Sequence, residues 1–306
     1  MVILEKSIYV VDAFSEVSFG GNPAGVVLNA LGLKDEQMLQ IANELNLSET
    51  AFVFSSEDDK ADFKLRFFTK TGEIDLCGHA TIAAFYVLAA KGLIKNDKDV
   101  KVIRQNTRAG ILPVEIYFKD NIVEKIMMTQ TKPHFGAKIE ELAVLAKIMG
   151  LNLKDIGLKS FNVIPQIIST GLKDILLPVK SLKALKGISP NYQRLKEYSD
   201  KLGVIGVHAF SLETEEKDST VSCRNFAPLV GIDEEAATGS SNGALGAYLV
   251  SNDIVCFKNQ VNIISEQGYY MNRKSRILVL IEGNKKNYVV KVGGSATIII
   301  EGKIIL

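Results

Sequence analysis

The sequence predicts an α+β protein with two pseudo-symmetric domains, each a mostly antiparallel sheet or barrel wrapped around a central buried helix. Two apolar segments, at 80–90 and 238–250, carry small or apolar side chains on nearly every side. A helix that is apolar all round is buried in a protein core or a membrane, and these are too short to span a bilayer. Short β-branched and aromatic segments, typical of strands, surround both.

The two halves of the chain repeat one another, which predicts two domains within the 306 residues. AFVF at 51–54 and AFSL at 209–212 are 158 positions apart, and LRFF at 65–68 and CRNF at 223–226 keep that offset. We therefore predict an N-terminal α/β-barrel-like domain over residues 1–130 and a C-terminal one over 131–306. The last strand, at about 296–306, could return to the first domain.

Composition narrows the class of protein. The content of 47% hydrophobic and 23% charged residues is that of a soluble globular protein. The net charge of +1 leaves no basic surface for nucleic acid, and no basic amphipathic segment suggests a membrane partner. Three widely spaced cysteines indicate neither a disulfide framework nor a zinc knuckle. Because the N-terminus resembles a strand and not a signal peptide, we expect a cytoplasmic protein.

In chain order, the patterns predict the following elements. The first half has strands at 6–14 and 24–28, a helix at 35–45, strands at 51–54 and 65–70, the first central helix and an antiparallel meander over 96–128. The second half has a linker and helix over 131–151, strands within 163–179, a helix near 190–202, strands near 203–212 and 219–226, the second central helix and closing strands.

Each central helix begins with glycine and small polar groups. Cys77-Gly78-His79 precedes the first helix and corresponds to Thr238-Gly239-Ser240 before the second, after three extra residues in the second half. The first N–H groups of a helix are unpaired and its dipole is positive there, which favours an anion. We expect both helix starts to face a cleft between the domains, a common place for a ligand site.

Several reactive side chains lie at these helix starts or near them in the sequence. Each also has a plainer interpretation: an exposed carboxylate, a helix-capping hydroxyl, a backbone-bonded histidine, or a cysteine that packs as a small apolar group. Their collection around a duplicated element favours a functional role. The candidates are Glu49, Cys77, His79, Ser240 and the acidic residues Asp233, Glu234 and Glu235.

Common cofactor and metal motifs are absent from the sequence. It has no G-x-x-x-x-G-K-[ST], G-x-S-x-G or H-E-x-x-H motif. Its three histidines, at 79, 134 and 208, are isolated and it has no C-x-x-C motif, so we predict no metal centre. Catalysis would then depend on side chains alone, with no cofactor.

A series of motifs follows one another along essentially the whole chain: GGNPAGVVL, NLSETAFV, LRFFT with LCGHATIAA, RNFAPLVGIDEEAATGSSNGAL, EQGYYMNR and KVGGSAT. Together they resemble the PhzF (phenazine biosynthesis-like) isomerase family. The resemblance implies a diaminopimelate epimerase-like fold with the active site between two domains, no cofactor, a homodimer, and proton transfer between carbons of a small carboxylated substrate such as trans-2,3-dihydro-3-hydroxyanthranilate.

The same resemblance assigns residue roles. Glu49 in LSETAF matches the acid/base glutamate of the family, His79 in CGHAT its active-site histidine, and Ser240 in ATGS its active-site serine. Glu235 and Ala236 replace the usual aspartate and proline of the family. Glu235 is the fourth expected catalytic residue, and the expected substrate-binding residues are Asn22, Gly78, Thr238 and Gly239.

We therefore predict a cofactor-independent isomerase in which Glu49, with a pKa raised by burial, acts as general acid and base. Two alternatives remain. A two-thiol amino-acid racemase or epimerase is disfavoured because Cys77 corresponds to Thr238, which leaves no second thiol. A catalytically idle ligand-binding protein of the same fold is the other alternative, and Glu235 in place of aspartate is the feature that suggests it.

Overall fold

The computed structural model describes residues 4–306, and its chain divides into two compact units. Unit 1 contains the described residues up to Met128 together with Gly293–Leu306, and unit 2 is Thr129–Val292. The C-terminal segment thus belongs to unit 1. None of the helices formed by residues 4–306 is long and apolar enough to cross a bilayer.

The strands formed by the described residues are numbered in chain order. They are β1 (Glu5–Ala13), β2 (Asn22–Val27), β3 (Thr50–Ser55), β4 (Phe63–Phe68), β5 (Glu73–Ile74), β6 (Val100–Thr107), β7 (Gly110–Lys119), β8 (Ile122–Thr129), β9 (His134–Lys138), β10 (Gln166–Ser169), β11 (Lys173–Pro178), β12 (Gly206–Ser211), β13 (Val221–Ala227), β14 (Ile232–Glu235), β15 (Gln260–Gln267), β16 (Ser275–Asn284), β17 (Asn287–Gly294) and β18 (Ala296–Ile305).

The α-helices are α1 (Asp35–Leu45), α2 (Gly78–Ala90), α3 (Leu142–Met149), α4 (Leu182–Lys186), α5 (Tyr192–Leu202) and α6 (Gly239–Ser251). The two central helices predicted from the sequence are α2 and α6. The meander predicted over 96–128 is β6, β7 and β8, which pair antiparallel in sequence. The helix predicted near 190–202 is α5.

Unit 1 is built on one mostly antiparallel sheet. Its strands follow the order β18-β1-β2-β3-β4-β6-β7-β8, with β5 also paired to β4. Only the β2–β3 and β4–β6 pairs among these are parallel. Helix α2 contacts β1, β2, β3 and β18, and ten of its thirteen residues are buried. The helix is therefore enclosed by the sheet, as its apolar sequence predicted.

Unit 2 repeats this arrangement. Strands β9 to β13 pair in sequence, β13 also pairs with β14 and β15, and β15 pairs with β16. The parallel pairs are β11–β12 and β13–β15, at the positions equivalent to β2–β3 and β4–β6. Helix α6 contacts β10, β11 and β16. The buried hydroxyl of Tyr248 on α6 donates to the carbonyl of Ile164 at 2.8 Å, so even this polar group is satisfied.

The prediction of a linker at the start of 131–151 is wrong for residues 134–138. Residues His134–Lys138 form β9, which pairs antiparallel with β10. Four of the five residues of β9 are exposed, so the strand lacks the apolar alternation by which strands are recognised. The pairing with β10 therefore makes this segment a strand.

The repeat also includes an arginine paired with a glutamate in each unit. Arg66 on β4 and Arg224 on β13 are 158 positions apart. Each forms two parallel hydrogen bonds with a glutamate: Arg66 with Glu73 at 2.7 and 2.6 Å, and Arg224 with Glu234 at 2.8 and 2.7 Å. Such two-point pairs fix side-chain geometry more strongly than single contacts.

The two pairs differ in burial. The side chain of Arg224 is 9% exposed and that of Arg66 is 20% exposed. Arg224 also donates from Nη1 to the carbonyl oxygens of Leu185, Lys186 and Ile188 at 3.2, 3.3 and 2.7 Å. It therefore ties the end of α4 and the following turn to β13.

We expect Arg224→Met to lower the free energy of unfolding by about 3 kcal/mol or more, because it leaves the largely buried carboxylate of Glu234 and several carbonyls unpaired. The matched change Arg66→Met should cost less, since Glu73 is also approached by Arg108 and the site is more exposed. Urea unfolding of the two variants measures which of them loses more unfolding free energy. An equal loss in both would contradict the prediction. The double change Arg224→Met with Glu234→Leu should recover part of the loss.

Candidate active site

In unit 1, four of the predicted site residues meet at the start of α2. Glu49 immediately precedes β3, and its carbonyl accepts from the N–H of Gly25 on β2 at 3.0 Å. Asn22 is the first residue of β2, and Gly78 and His79 are the first two residues of α2. The sheet and the enclosed helix thus hold the backbone of each residue in place.

The imidazole of His79 is the centre of this group. Its Nε2 lies 3.1 Å from Oε2 of Glu49 and 3.4 Å from Oγ of Ser48. Its Nδ1 lies 3.5 Å from Nδ2 of Asn22 and 3.5 Å from Sγ of Cys77. Both ring nitrogens therefore have polar neighbours. Ser48 was not among the predicted site residues, although it lies within the LSETAF motif.

Burial and mutual attraction act in opposite directions on the pKa values of Glu49 and His79. Burial raises the pKa of Glu49, but the hydrogen bond and charge of His79 outweigh it, so that its pKa lies below the usual value. Burial lowers the pKa of His79, while its contacts with Cys77 and Glu49 raise it well above 6.5 overall. The two groups form a partly buried ion pair at neutral pH. The prediction of a raised pKa for Glu49 is therefore wrong, because it considered burial and omitted His79.

Cys77 directly precedes α2 and is only 9% exposed. Burial raises the pKa of its thiol, and the thiolate is the nucleophilic form of cysteine. The residue therefore stays a neutral thiol despite its contact with His79.

In unit 2, the other four predicted site residues meet at the start of α6. Glu235 ends β14, Thr238 directly precedes α6, and Gly239 and Ser240 are its first two residues. The Thr238 hydroxyl does not cap the helix and instead donates to Oε2 of Glu235 at 2.5 Å. The carbonyl of Ser240 accepts from Oγ1 of Thr170 at 2.8 Å.

The turn from Glu235 to Thr238 is held by hydrogen bonds. The buried Gln267 donates from Nε2 to the carbonyl of Glu235 at 2.8 Å and to Oγ1 of Thr238 at 3.0 Å. Ser275 donates to the carbonyl of Ala236 at 2.8 Å. The turn is thus fixed without the proline that the family usually has at position 236. Gln267 belongs to the EQGYY motif, but nothing in that motif indicates this contact.

A buried polar network beside α6 was not predicted. Oγ of Ser241 donates to Oδ2 of Asp174 at 2.5 Å and accepts from Nδ2 of Asn225 at 3.2 Å, and Asn225 also lies 3.2 Å from Nδ1 of His208. Burial, with the charge of Glu235, raises the pKa of Asp174 to about 6. Burial lowers the pKa of His208 to about 3. The only signal in the sequence is one aspartate within the apolar run LKDILLPV.

The structure thus gathers the predicted site residues into two clusters, one within each unit. Among the described residues, one group has the donor atoms for a metal ion: Glu49, Cys77 and His79 each offer one atom, all within 4.8 Å of one another.

Comparisons with known proteins identify the family. The phenazine biosynthesis-like protein family matches residues 11–302, and the chain belongs to this PhzF family. An uncharacterized isomerase from Clostridium acetobutylicum is 40% identical, with 100% of both chains covered. The trans-2,3-dihydro-3-hydroxyanthranilate isomerase of Pseudomonas aeruginosa is 29% identical over 96% of this chain and 97% of its own. The chain is accordingly an enzyme of the isomerase type.

Solved structures agree on the fold. The crystal structure of a PhzF-family phenazine biosynthesis protein from Bacillus anthracis has a TM-score of 0.89 and 31% identity, covering 99% of this chain and 100% of that one. A hydroxyproline epimerase from Agrobacterium vitis has a TM-score of 0.64 at 15% identity, covering 100% and 93%, which shows likeness of fold. The predicted epimerase-like fold of two similar helix-centred halves is confirmed.

Asp174 should make stability depend on pH. Its pKa is raised from 3.8 to about 6 in the folded protein, so the stability that this group contributes is complete below pH 3.8 and is lost as pH rises to about 6. Relative to Asp174→Asn, the wild type should therefore lose on the order of 2–3 kcal/mol of unfolding free energy between pH 4 and pH 7. Urea unfolding of both proteins measures this difference.

His208 acts in the opposite direction, because a lowered pKa removes stability as pH falls from about 6.5 towards 3. It is present in both proteins and cancels in their difference. A difference between wild type and Asp174→Asn that stays constant across this pH range would show that Asp174 titrates normally.

Cys77→Ser should keep turnover within about tenfold of the wild type. The thiol is buried and neutral, and the change alters packing at the helix start by on the order of 1 kcal/mol. Steady-state kinetics on the folded variant tests this. A loss of several decades would instead support a thiol acid/base mechanism.

Proposed function

We propose that the protein is a cofactor-independent isomerase that moves a proton between carbon atoms of a small carboxylated substrate, with Glu49 as general acid and base. The observation that supports this most directly is the contact between Glu49 and His79 at the start of α2. It provides a carboxylate that is 84% removed from solvent and already ionised, next to a cation that an acidic substrate can bind.

The opposing influences on Glu49 suggest how it becomes active. His79 lowers the pKa of Glu49 while burial raises it. When the carboxylate of a substrate pairs with His79, the cation is shared and its hold on Glu49 weakens, so that burial raises the pKa towards the range useful for acid/base catalysis. Glu49 then takes a proton from one carbon and returns it to another.

The remaining predicted residues are proposed to bind and orient the substrate. The free N–H groups at Gly78 and Gly239 suit a carboxylate, because a helix start attracts anions. Asn22, Glu235 and Ser240 supply polar atoms for other substrate groups. Thr238 donates to the carboxylate of Glu235 and so limits its rotation.

The substrate class is proposed from the relatives. The Pseudomonas aeruginosa relative is named for trans-2,3-dihydro-3-hydroxyanthranilate, a cyclic carboxylate. Glutamate at position 235 extends the carboxylate by one methylene relative to the usual aspartate of the family, so we propose a related but different small carboxylated compound. A two-thiol racemisation is disfavoured, since Thr238 stands where the second thiol is needed.

We also propose that the enzyme acts as a homodimer in the cytoplasm. The proposal of a homodimer rests on the family resemblance. The three cysteines, at 77, 223 and 256, are all free, as expected in a reducing compartment. Size-exclusion chromatography with light scattering tests the dimer.

Glu49→Gln should lower turnover by about 100-fold or more and leave substrate binding nearly unchanged. Glutamine keeps the shape of the side chain but cannot carry the proton, and one acid/base group contributes roughly 10²–10⁴-fold. The assay is proton NMR in deuterated water with small carboxylic acids, beginning with trans-2,3-dihydro-3-hydroxyanthranilate. The wild type should convert one of them and introduce deuterium at a carbon.

The matched control is Glu44→Gln, an exposed glutamate at the end of α1, which should behave as the wild type. Near-normal turnover by Glu49→Gln would remove Glu49 from the mechanism. Binding of a compound by the wild type with neither conversion nor exchange, across the whole set, would favour a ligand-binding protein.

A further inference from the structure

The donor set of Glu49, Cys77 and His79, here called the Glu–Cys–His cluster, is one that zinc uses in proteins. We propose that this cluster binds one Zn²⁺ ion and that the bound metal switches the isomerase off. The inhibitory effect rests on the function proposed above, whereas the binding site itself does not.

Two of the three donor atoms, those of Glu49 and His79, are close to zinc spacing. Bond lengths of 2.0–2.3 Å in a tetrahedral site place the donor atoms about 3.3–3.6 Å apart. Nε2 of His79 lies 3.1 Å from Oε2 of Glu49 and 4.0 Å from Sγ of Cys77. All three donors lie within 4.8 Å of one another. Because Sγ is closer to Nδ1 of His79, at 3.5 Å, than to Nε2, the Cys77 side chain has to rotate towards Nε2 to complete the three-ligand set.

The backbone around the cluster is already ordered. The carbonyl of Cys77 accepts from the N–H and from the hydroxyl of Thr81, at 3.0 and 2.7 Å, which fixes the first turn of α2. The carbonyl of Glu49 is bound by Gly25 at 3.0 Å. A metal therefore meets donors on anchored chain segments and has to order only the ends of their side chains.

The neighbours of His79 suit a metal ligand. Zinc-binding histidines usually hydrogen-bond through their second ring nitrogen, and Nδ1 lies 3.5 Å from the side-chain amide of Asn22. The amide oxygen and nitrogen are interchangeable by rotation, so Asn22 can accept from Nδ1–H. Three protein ligands leave a fourth position for water, and Oγ of Ser48, 3.4 Å from Nε2, is a further polar neighbour of the cluster.

The charges balance when the metal binds. The imidazolium and the thiol each release a proton to solvent, and the resulting carboxylate and thiolate together neutralise the two positive charges of Zn²⁺. The metal then occupies the lone pairs of Oε2 and Nε2. Glu49 can no longer accept a proton from carbon, and His79 can no longer pair with a substrate carboxylate.

Cobalt binding to the protein tests the metal site without an activity assay. Co²⁺ replaces Zn²⁺ and absorbs visibly in a tetrahedral site, with a separate near-ultraviolet band from a thiolate ligand. We expect one equivalent of Co²⁺ to give both bands and Zn²⁺ to remove them. Cys256→Ser, which deletes the exposed thiol, is the matched control and should give the same spectrum.

Cys77→Ser should lose the thiolate band and bind Zn²⁺ about 100-fold more weakly or worse, since loss of an outer-shell partner alone costs 10–100-fold. Cys77→Ala guards against coordination by the new hydroxyl, and circular dichroism checks that both variants fold. An unchanged cobalt spectrum in these variants, or a spectrum lost in Cys256→Ser, would overturn the proposal. So would the absence of both bands at millimolar Co²⁺.

The second measurement is turnover with added Zn²⁺. Wild type and Cys256→Ser should be inhibited in step with zinc binding and recover when a chelator is added. For Cys77→Ser, inhibition is measured relative to the metal-free rate of that variant. Half-inhibition should need about 100-fold more zinc than in the wild type. Stoichiometric zinc binding without inhibition would overturn the switch. A protein that gives the cobalt bands but isomerises none of the compounds would instead count against the proposed function and leave the metal site standing.

Discussion

The structure depends on the burial of two helices that have no polar face. An amphipathic helix can lie on a sheet with its polar face in water. Helices α2 and α6 are apolar on all sides, so exposing any side of them to water would destabilise the folded state. In each unit, strands contact the central helix from several sides. Only the first turn of such a helix offers unpaired N–H groups to a ligand, so the reactive side chains lie there, at Cys77 to His79 and at Thr238 to Ser240.

The repeat preserves the scaffold but not the chemistry. Arg66 and Arg224 keep equivalent strands and equivalent glutamate partners. The position equivalent to Glu49, however, is Val207, which is fully buried. In the proposed mechanism, unit 1 therefore provides the acid/base group and its histidine, whereas unit 2 provides hydroxyls and a carboxylate that accepts a hydrogen bond from Thr238. This asymmetry suits the transfer of one proton by one group better than a mechanism with two equivalent bases.

The Glu49–His79 contact shows why burial alone does not determine a pKa. Burial acts against the charge of both groups, yet each stabilises the charge of the other, and the ion pair prevails. Asp174 has no such partner and its pKa rises. A ligand that alters the contact of His79, whether a carboxylate or a metal ion, therefore changes what Glu49 can do.

The sequence by itself determined the two-part repeat, the two central helices and the residues at their starts, because apolar patterns and short motifs are local properties of the chain. It did not indicate β9, whose exposed side chains carry no apolar pattern and whose identity comes from pairing with β10. Nor did it indicate the ion pair of Glu49, the contacts of Gln267, or the link from Asp174 to Ser241, 67 residues away. Only the tertiary structure decided these, because electrostatic and hydrogen-bond partners depend on which distant segments the fold brings together.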